Sequence, residues 1–223
     1  MRPIRRPAAV PAALLLCALL HAGRARAQST LPAFAGGTLP AQLSMVVGWE
    51  QAQAALTVDK TGRVSGVELM AATPGFEGPV KTALAGWRFR PATGPGGHPV
   101  PSHVLVVVIY RPPVLYNTPT IGNPMRQLAA WPASVPFPIA TTTPAYPPQA
   151  AGDDVVLVTM RVGADGTLTD ARTTGPPSGF DQASLDAARQ WRFRPARPGG
   201  TRAPSAACLI FGFRQPVATP PVR

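Results

Sequence analysis

Six residues, Trp87-Arg88-Phe89-Arg90-Pro91-Ala92, recur unchanged as Trp191-Arg192-Phe193-Arg194-Pro195-Ala196, 104 positions downstream. The spacing holds upstream, where Gly62 maps to Gly166 and Gly75-Phe76 to Gly179-Phe180. Past one deletion, Pro95-Gly96-Gly97 maps to Pro198-Gly199-Gly200, Tyr110-Arg111 to Phe213-Arg214, and Pro113-Val114 to Pro216-Val217. A chain built this way must fold the same unit twice. Two copies this long predict tandem small domains, because a solenoid is built from more and shorter repeats.

Each copy reads as strand, turn, strand, helix, strand. Val156, Val158, Met160 and Val162 alternate along one face of a strand, and Ala52, Ala54, Leu56 and Val58 hold the matching places. Asp59-Lys60-Thr61-Gly62 and Gly163-Ala164-Asp165-Gly166 read as hairpin turns, since Asp and Gly tolerate the positive φ such turns require. A calcium loop would need further acids at ligand spacing, and none follow. Second strands are expected near 64–69 and 168–174. Val80, Leu84 and Trp87 then form one helical stripe, matched by Ser184, Ala188 and Trp191 with Leu185 beside them. Pro79 suits a helix start and Asp181 the positive end of the helix dipole, while Pro91 and Pro195 stop the helices running on. Near-continuous apolar runs at 104–110 and 207–213 predict last strands with at least one well-buried face. Trp87 and Trp191 are expected in the core. Arg88, Arg90, Arg192 and Arg194 alternate with Phe89 and Phe193, so they face away from it, either solvated or meeting an acidic partner or anionic lipid.

The N-terminus has its own signature. Arg2, Arg5 and Arg6 precede an apolar stretch from 8 to 20, and Ala25-Arg26-Ala27 fits a small-x-small cleavage site. This reads as a secretory signal peptide over 1–27, cleaved after Ala27 to leave Gln28 first. An uncleaved inner-membrane anchor is the alternative, although the apolar core is short for a span. Leu14-Leu15-Leu16-Cys17 outlines a lipoprotein box, but Leu16 is too large for the residue before the cysteine.

Charge matters once this segment is removed. The full chain carries 21 basic and 10 acidic residues, and five of the arginines lie within 1–27, so the remainder has a net charge of +6. No Lys/Arg cluster accompanies it, so no nucleic-acid partner is expected. Cys208 becomes the lone cysteine, which removes any internal disulfide and reads as a buried, inert thiol. Residues 28–45 read as a flexible linker, 46–114 as the first and weaker domain, 145–217 as the second, and 218–223 as a tail. Between the domains, 115–144 holds Pro119, Pro124, Pro132, Pro136, Pro138 and Pro144 and reads as a semi-extended linker. Trp131 and Phe137 inside it either pack back onto a domain or form a contact.

Catalytic patterns are missing. No H-E-x-x-H, G-x-S-x-G, Walker or strand-to-helix G-x-G-x-x-G arrangement is present. His98 and His103 have no cysteine or acid beside them and read as a solvated loop. The chain is not expected to be an enzyme, nor to hold a cofactor or a metal.

Tyr146-Pro147, the strand at 155–162, Asp165-Gly166, Leu185-Asp186 with Ala188, and Trp191 to Ala196 stand in an order that resembles the C-terminal domain of TonB-family proteins. The resemblance covers about 145–217, with a weaker copy at about 46–114 that lacks the Tyr-Pro start. It implies an α+β fold: two tandem β-β-α-β units, each a three-stranded antiparallel sheet with a packed helix. It also implies work in the periplasm of Gram-negative bacteria, where such domains grip the N-terminal box of an outer-membrane transporter by adding it to a sheet edge. By the family's pattern the receiving edge is the last strand, here Ala206, Ala207, Cys208, Leu209, Ile210, Phe211, Gly212 and Phe213, with Arg192 and Arg194 nearby. The implied partner is an outer-membrane TonB-dependent receptor or another periplasmic protein, and a homodimer is a further expectation. Inner-membrane motor proteins become partners only if the N-terminus is an uncleaved anchor. The first unit starts about 20 residues past the cleavage site, too near for a transducer that crosses the periplasm, and the Pro-rich stretch lies between the units instead. A periplasmic scaffold that uses the fold without energy transduction is therefore the alternative.

Overall fold

The computed structural model describes residues 29–42, 48–112 and 125–216. The expected signal peptide over 1–27 and the tail over 218–223 lie outside the described residues. In chain order the elements are β1 (Ala33–Gly36), β2 (Glu50–Val58), β3 (Val64–Ala72), α1 (Glu77–Ala85), β4 (Arg88–Arg90), β5 (Ala92–Thr93), β6 (Pro99–Val100) and β7 (Ser102–Tyr110). Then come β8 (Arg126–Gln127), β9 (Phe137–Ala140), β10 (Asp154–Val162), β11 (Leu168–Thr174), α2 (Asp181–Arg189), β12 (Arg192–Arg194) and β13 (Ser205–Phe213).

Local chemistry fixes the hairpins. The Asp59 carboxylate accepts from the Thr61 N–H at 2.8 Å, the Thr61 hydroxyl at 2.7 Å and the Arg63 N–H at 3.0 Å. Asp165 does the same for the Thr167 N–H at 3.0 Å and hydroxyl at 2.7 Å. These bonds favour the ionised carboxylates, so both groups are held below the ordinary aspartate range. Gly62 and Gly166 follow at φ 84° and 88°, and a β carbon there would fall 1.9 and 2.0 Å from the carbonyl oxygens of Phe89 and Phe193. Only glycine fits both the angle and the approach.

The two halves do not make two separate sheets. A single seven-stranded sheet runs β11-β10-β13-β7-β2-β3-β8. Within each half the three long strands are antiparallel, but β13 and β7 meet in parallel, from Ala206 opposite Val104 to Gly212 opposite Tyr110. These are the matching last strands of the repeat. A two-fold rotation that keeps strand direction must have its axis along the strands, so it turns the sheet over. The two helices therefore land on opposite faces.

The core follows from this. On one face Val80 and Leu84 of α1 and Trp87 cover Ala52, Leu56, Val104 and Val106, and the cluster continues across the junction to Ala206, Cys208, Ile210 and Leu157. On the other, Ala187 and Ala188 of α2 and Trp191 cover Val156, Val158, Leu209 and Phe211, and the cluster continues to Leu105, Val107, Ile109 and Ala55. All nine residues of β13 are buried. Strands buried on both faces read as unbroken apolar runs, as 104–110 and 207–213 do. Burial of Leu209, Ile210 and Phe211 contributes about 1.5–3 kcal/mol each.

The segments ahead of each half depart from the linker expectation. β1 pairs antiparallel with β4, and β9 with β12, again 104 residues apart. Phe34 stands edge-on to Trp87 at 4.7 Å between ring centroids, and the Trp87 indole N–H donates to the Thr38 carbonyl at 2.9 Å. The Trp191 indole N–H donates to the Thr142 carbonyl at 2.8 Å. Trp131 packs edge-on to Phe137 at 4.8 Å and rests on the second core. The described parts of 28–45 and 115–144 thus pair with β4 and β12 and supply the carbonyls that accept from the Trp87 and Trp191 indoles.

Candidate protein-interaction surface

Ala206, Ala207, Cys208, Leu209, Ile210, Phe211, Gly212 and Phe213 all sit in β13, at the centre of the sheet. β10 pairs with one side of this strand along its whole length, and β7 with the other from Ala206 to Gly212. The expected receiving edge is therefore not open: the equivalent strand of the first half occupies it. Their backbone groups are spent on the ladders, and their side chains are buried.

Arg192 and Arg194 lie apart from β13, on the short β12 paired with β9. Arg192 Nη1 donates to the carbonyls of Trp191 at 2.9 Å and Arg189 at 3.1 Å. The Arg194 guanidinium lies over the Phe137 ring, 4.6 Å from its centroid. Both arginines hold the 137–140 segment and the helix end in place.

Two further arginines tie the halves together. Arg111 Nη1 donates to the Pro144 carbonyl at 2.9 Å and its guanidinium lies 5.6 Å from the Trp49 ring centroid. Arg214 Nε donates to Gln42 Oε1 at 3.1 Å. Each arginine follows the last strand of its own half and reaches the segment that precedes the other.

The outer strands of the sheet are β11 and, at the other end, β3 with the short β8. β8 pairs with β3 only at Ala71 and Ala72, and the N–H groups of Leu128 and Ala129 both donate to the Met70 carbonyl. β11 pairs with β10 alone among the described residues, and none of its seven residues is buried. Its face away from α2 is polar: Thr159 lies opposite Arg172, Arg161 opposite Asp170, and Leu157 opposite Thr174. A cavity of about 240 Å³ runs there between Leu31 and Phe34 on one side and Thr159, Arg161, Asp170 and Arg172 on the other, with Ala206 and Cys208 beneath and Arg90 at its rim. Past Phe34 and Thr174 a second cavity, of about 350 Å³, continues to Asp154 and Asp181. Sequence reasoning passed over this surface, although Leu157, Thr159 and Arg161 alternate with the apolar face of β10.

No group of three or more His, Cys, Asp or Glu residues at metal-binding distance occurs among the described residues. His98 and His103 are exposed. The Cys208 thiol is buried, which pushes its pKa up to about 12 and leaves it protonated. Among the described residues no helix is long and apolar enough to cross a membrane.

A sheet with one helix packed by each triplet of antiparallel strands, and with β11 at one edge among the described residues, defines an α+β architecture. Residues 142–213 match the family described as Gram-negative bacterial TonB protein C-terminal. That family is an energy-transduction and protein-interaction domain and not an enzyme family. No curated protein matches the chain.

Proposed function

We propose that the chain is a periplasmic protein-interaction module of TonB C-terminal type, made of two such units whose last strands bind each other. The observation that carries this reading is the seven-pair parallel ladder that joins β13, within the matched residues 142–213, to β7 of the other half. Edge strands invite pairing because their N–H and C=O groups are otherwise unmet. Here the first unit meets that demand from within the chain. A transporter box adding at 206–213 would have to displace β7 from a ladder buried on both faces. The arrangement favours scaffolding without energy transduction over direct transporter coupling. In this reading 1–27 is a signal peptide, and the units extend from about 30 to 111 and from about 134 to 214, wider than the repeat in the sequence suggests.

Two measurements test it. N-terminal sequencing of the protein from its native envelope is expected to give Gln28; retention of Met1 in the inner membrane would restore motor coupling. Photo-crosslinking residues placed at Glu68, Lys81, Arg88 and Arg172, all exposed, are expected to yield adducts with envelope proteins. An absence of adducts from all four positions overturns the interaction reading.

A further inference from the structure

The two halves present equivalent surfaces on opposite faces of the sheet, and these surfaces have diverged in chemistry. In the first half the positions are Ala55, Thr57, Gly66, Glu68 and Met70. Ala55 and Met70 are buried there, within a cluster that also includes Val135 and, at its margin, Trp131. In the second half the same positions, 104 residues on, are Thr159, Arg161, Asp170, Arg172 and Thr174. They line an open cavity instead of a covered core. Glu68 has become Arg172, a reversal of charge at one place in the fold.

We infer that this surface, with the open edge of β11, docks an extended acidic segment of a partner protein. The inference rests on the protein-interaction reading and says where and with what chemistry that interaction occurs. Three cations converge on the cavity: Arg90, Arg161 and Arg172. One carboxylate, Asp170, faces them, and it is paired with Arg172. Arg90 and Arg161 have no carboxylate partner among the described residues. The floor of Ala206 and Cys208 is buried and apolar, and charge pairs strengthen beside such low-dielectric walls. Among the described residues β11 has a neighbour on one side only, which leaves backbone groups open along the other. A strand added there presents every second side chain to the face that carries Arg172 and Thr174. Carboxylates at alternate positions would meet the arginines, and β-branched residues between them would suit the pleat.

The probe is a synthetic peptide of about eight residues, long enough to span the seven-residue β11, alternating Glu with Val and Thr. It is titrated into the full mature chain, with amide shifts and fluorescence anisotropy as readouts. Binding is expected to perturb the amides of β11, to weaken as salt rises, and to lose at least tenfold in affinity in the Arg161→Gln, Arg172→Gln double variant. Both side chains are exposed, so the variant keeps the fold, which circular dichroism checks. Equal binding of a peptide with Lys in place of Glu, no loss in the double variant, or no binding at millimolar peptide each overturns the proposal. Arginine-dependent binding of phosphatidylglycerol vesicles without binding of the peptide also overturns it, in favour of a lipid surface. Persistence of protein adducts at Glu68, Lys81 and Arg88 after such a failure would leave the interaction reading standing; loss of all adducts would remove both.

Discussion

Gly212 lies flat against the ring of Tyr110, its partner across the parallel ladder, so that a β carbon at Gly212 would fall 2.4 Å from Tyr110 Cδ1 and 3.0 Å from Cγ. The position is Ile109 in the first half. The junction of the two halves therefore needs a missing side chain at one of two equivalent places. The Tyr110 hydroxyl also donates to the Pro40 carbonyl, which keeps the ring from swinging aside. Gly212→Ala is expected to overpack this junction at a cost of about 1–3 kcal/mol. Urea unfolding followed by both tryptophan fluorescence and far-ultraviolet circular dichroism should show one shifted transition. Two separated transitions in the wild type would contradict the shared sheet.

The tryptophan anchors give a second test. Trp87 and Trp191 each donate to a carbonyl 49 residues earlier, Thr38 and Thr142. Replacing either with Phe removes the donor and leaves a part-buried carbonyl unmet, costing about 1–3 kcal/mol before any loss of packing. Trp87→Phe is expected to loosen residues 30–40 in particular, read as faster amide exchange at Phe34 and Thr30 than in the Gly212→Ala protein. Equal exchange in the two variants would mean the N-terminal segment is held by something other than the indole.

Much of this arrangement is legible in the sequence because it depends on local pattern. The alternation at 156–162 and the stripe of Val80, Leu84 and Trp87 report which face each element buries, and Asp59 and Asp165 mark their turns. What the pattern does not carry is how the two copies meet. The last strands are apolar on both faces, which fits a central strand as well as a family edge strand, and nothing in a single strand says which neighbour it takes. Residues 115–144 read as a linker on their prolines. Yet Pro138 sits opposite Phe193 in the β9–β12 pair, where a short strand at the margin of the fold tolerates a missing N–H. The meaning of the Arg161 and Arg172 surface lies in a comparison of the two halves in space, which no local pattern makes.

The turn glycines give a contrast between strain and space. Gly166→Ala puts a methyl group 2.0 Å from the Phe193 carbonyl oxygen at a φ of 88°. It is expected to cost more than about 1 kcal/mol, because the backbone angle and the contact are both unfavourable. Gly179→Ala meets nothing nearer than Ala150 Cβ at 3.9 Å and is expected to be neutral or slightly stabilising. Thermal melts of the two proteins should move apart, with Gly166→Ala lower. Coincident melts would show that the hairpin accommodates the methyl group by shifting strand β12.

Alkaline pH tests the buried junction by another route. Burial raises the Cys208 thiol from 9.0 to about 12. Burial first, and the Glu50 charge second, raises the Tyr110 hydroxyl above its ordinary 10.0. In both cases the folded chain keeps a proton that the unfolded chain releases. The stability they contribute is complete below pH 9 and declines as pH climbs from the unfolded pKa towards the folded one. For Cys208 that window is about pH 9 to 12, and one proton changes stability by about 1.4 kcal/mol per pH unit within it. The urea midpoint is therefore expected to fall between pH 8 and 10.5, and to fall less in Cys208→Ala once each protein is referenced to its own value at pH 8. The same burial predicts that a disulfide reagent such as DTNB labels the native chain at pH 8 only as fast as the sheet opens, and at once in urea. Prompt labelling of the native protein would place Cys208 at an accessible edge, and with it the β7–β13 junction would lose its standing as the centre of the sheet.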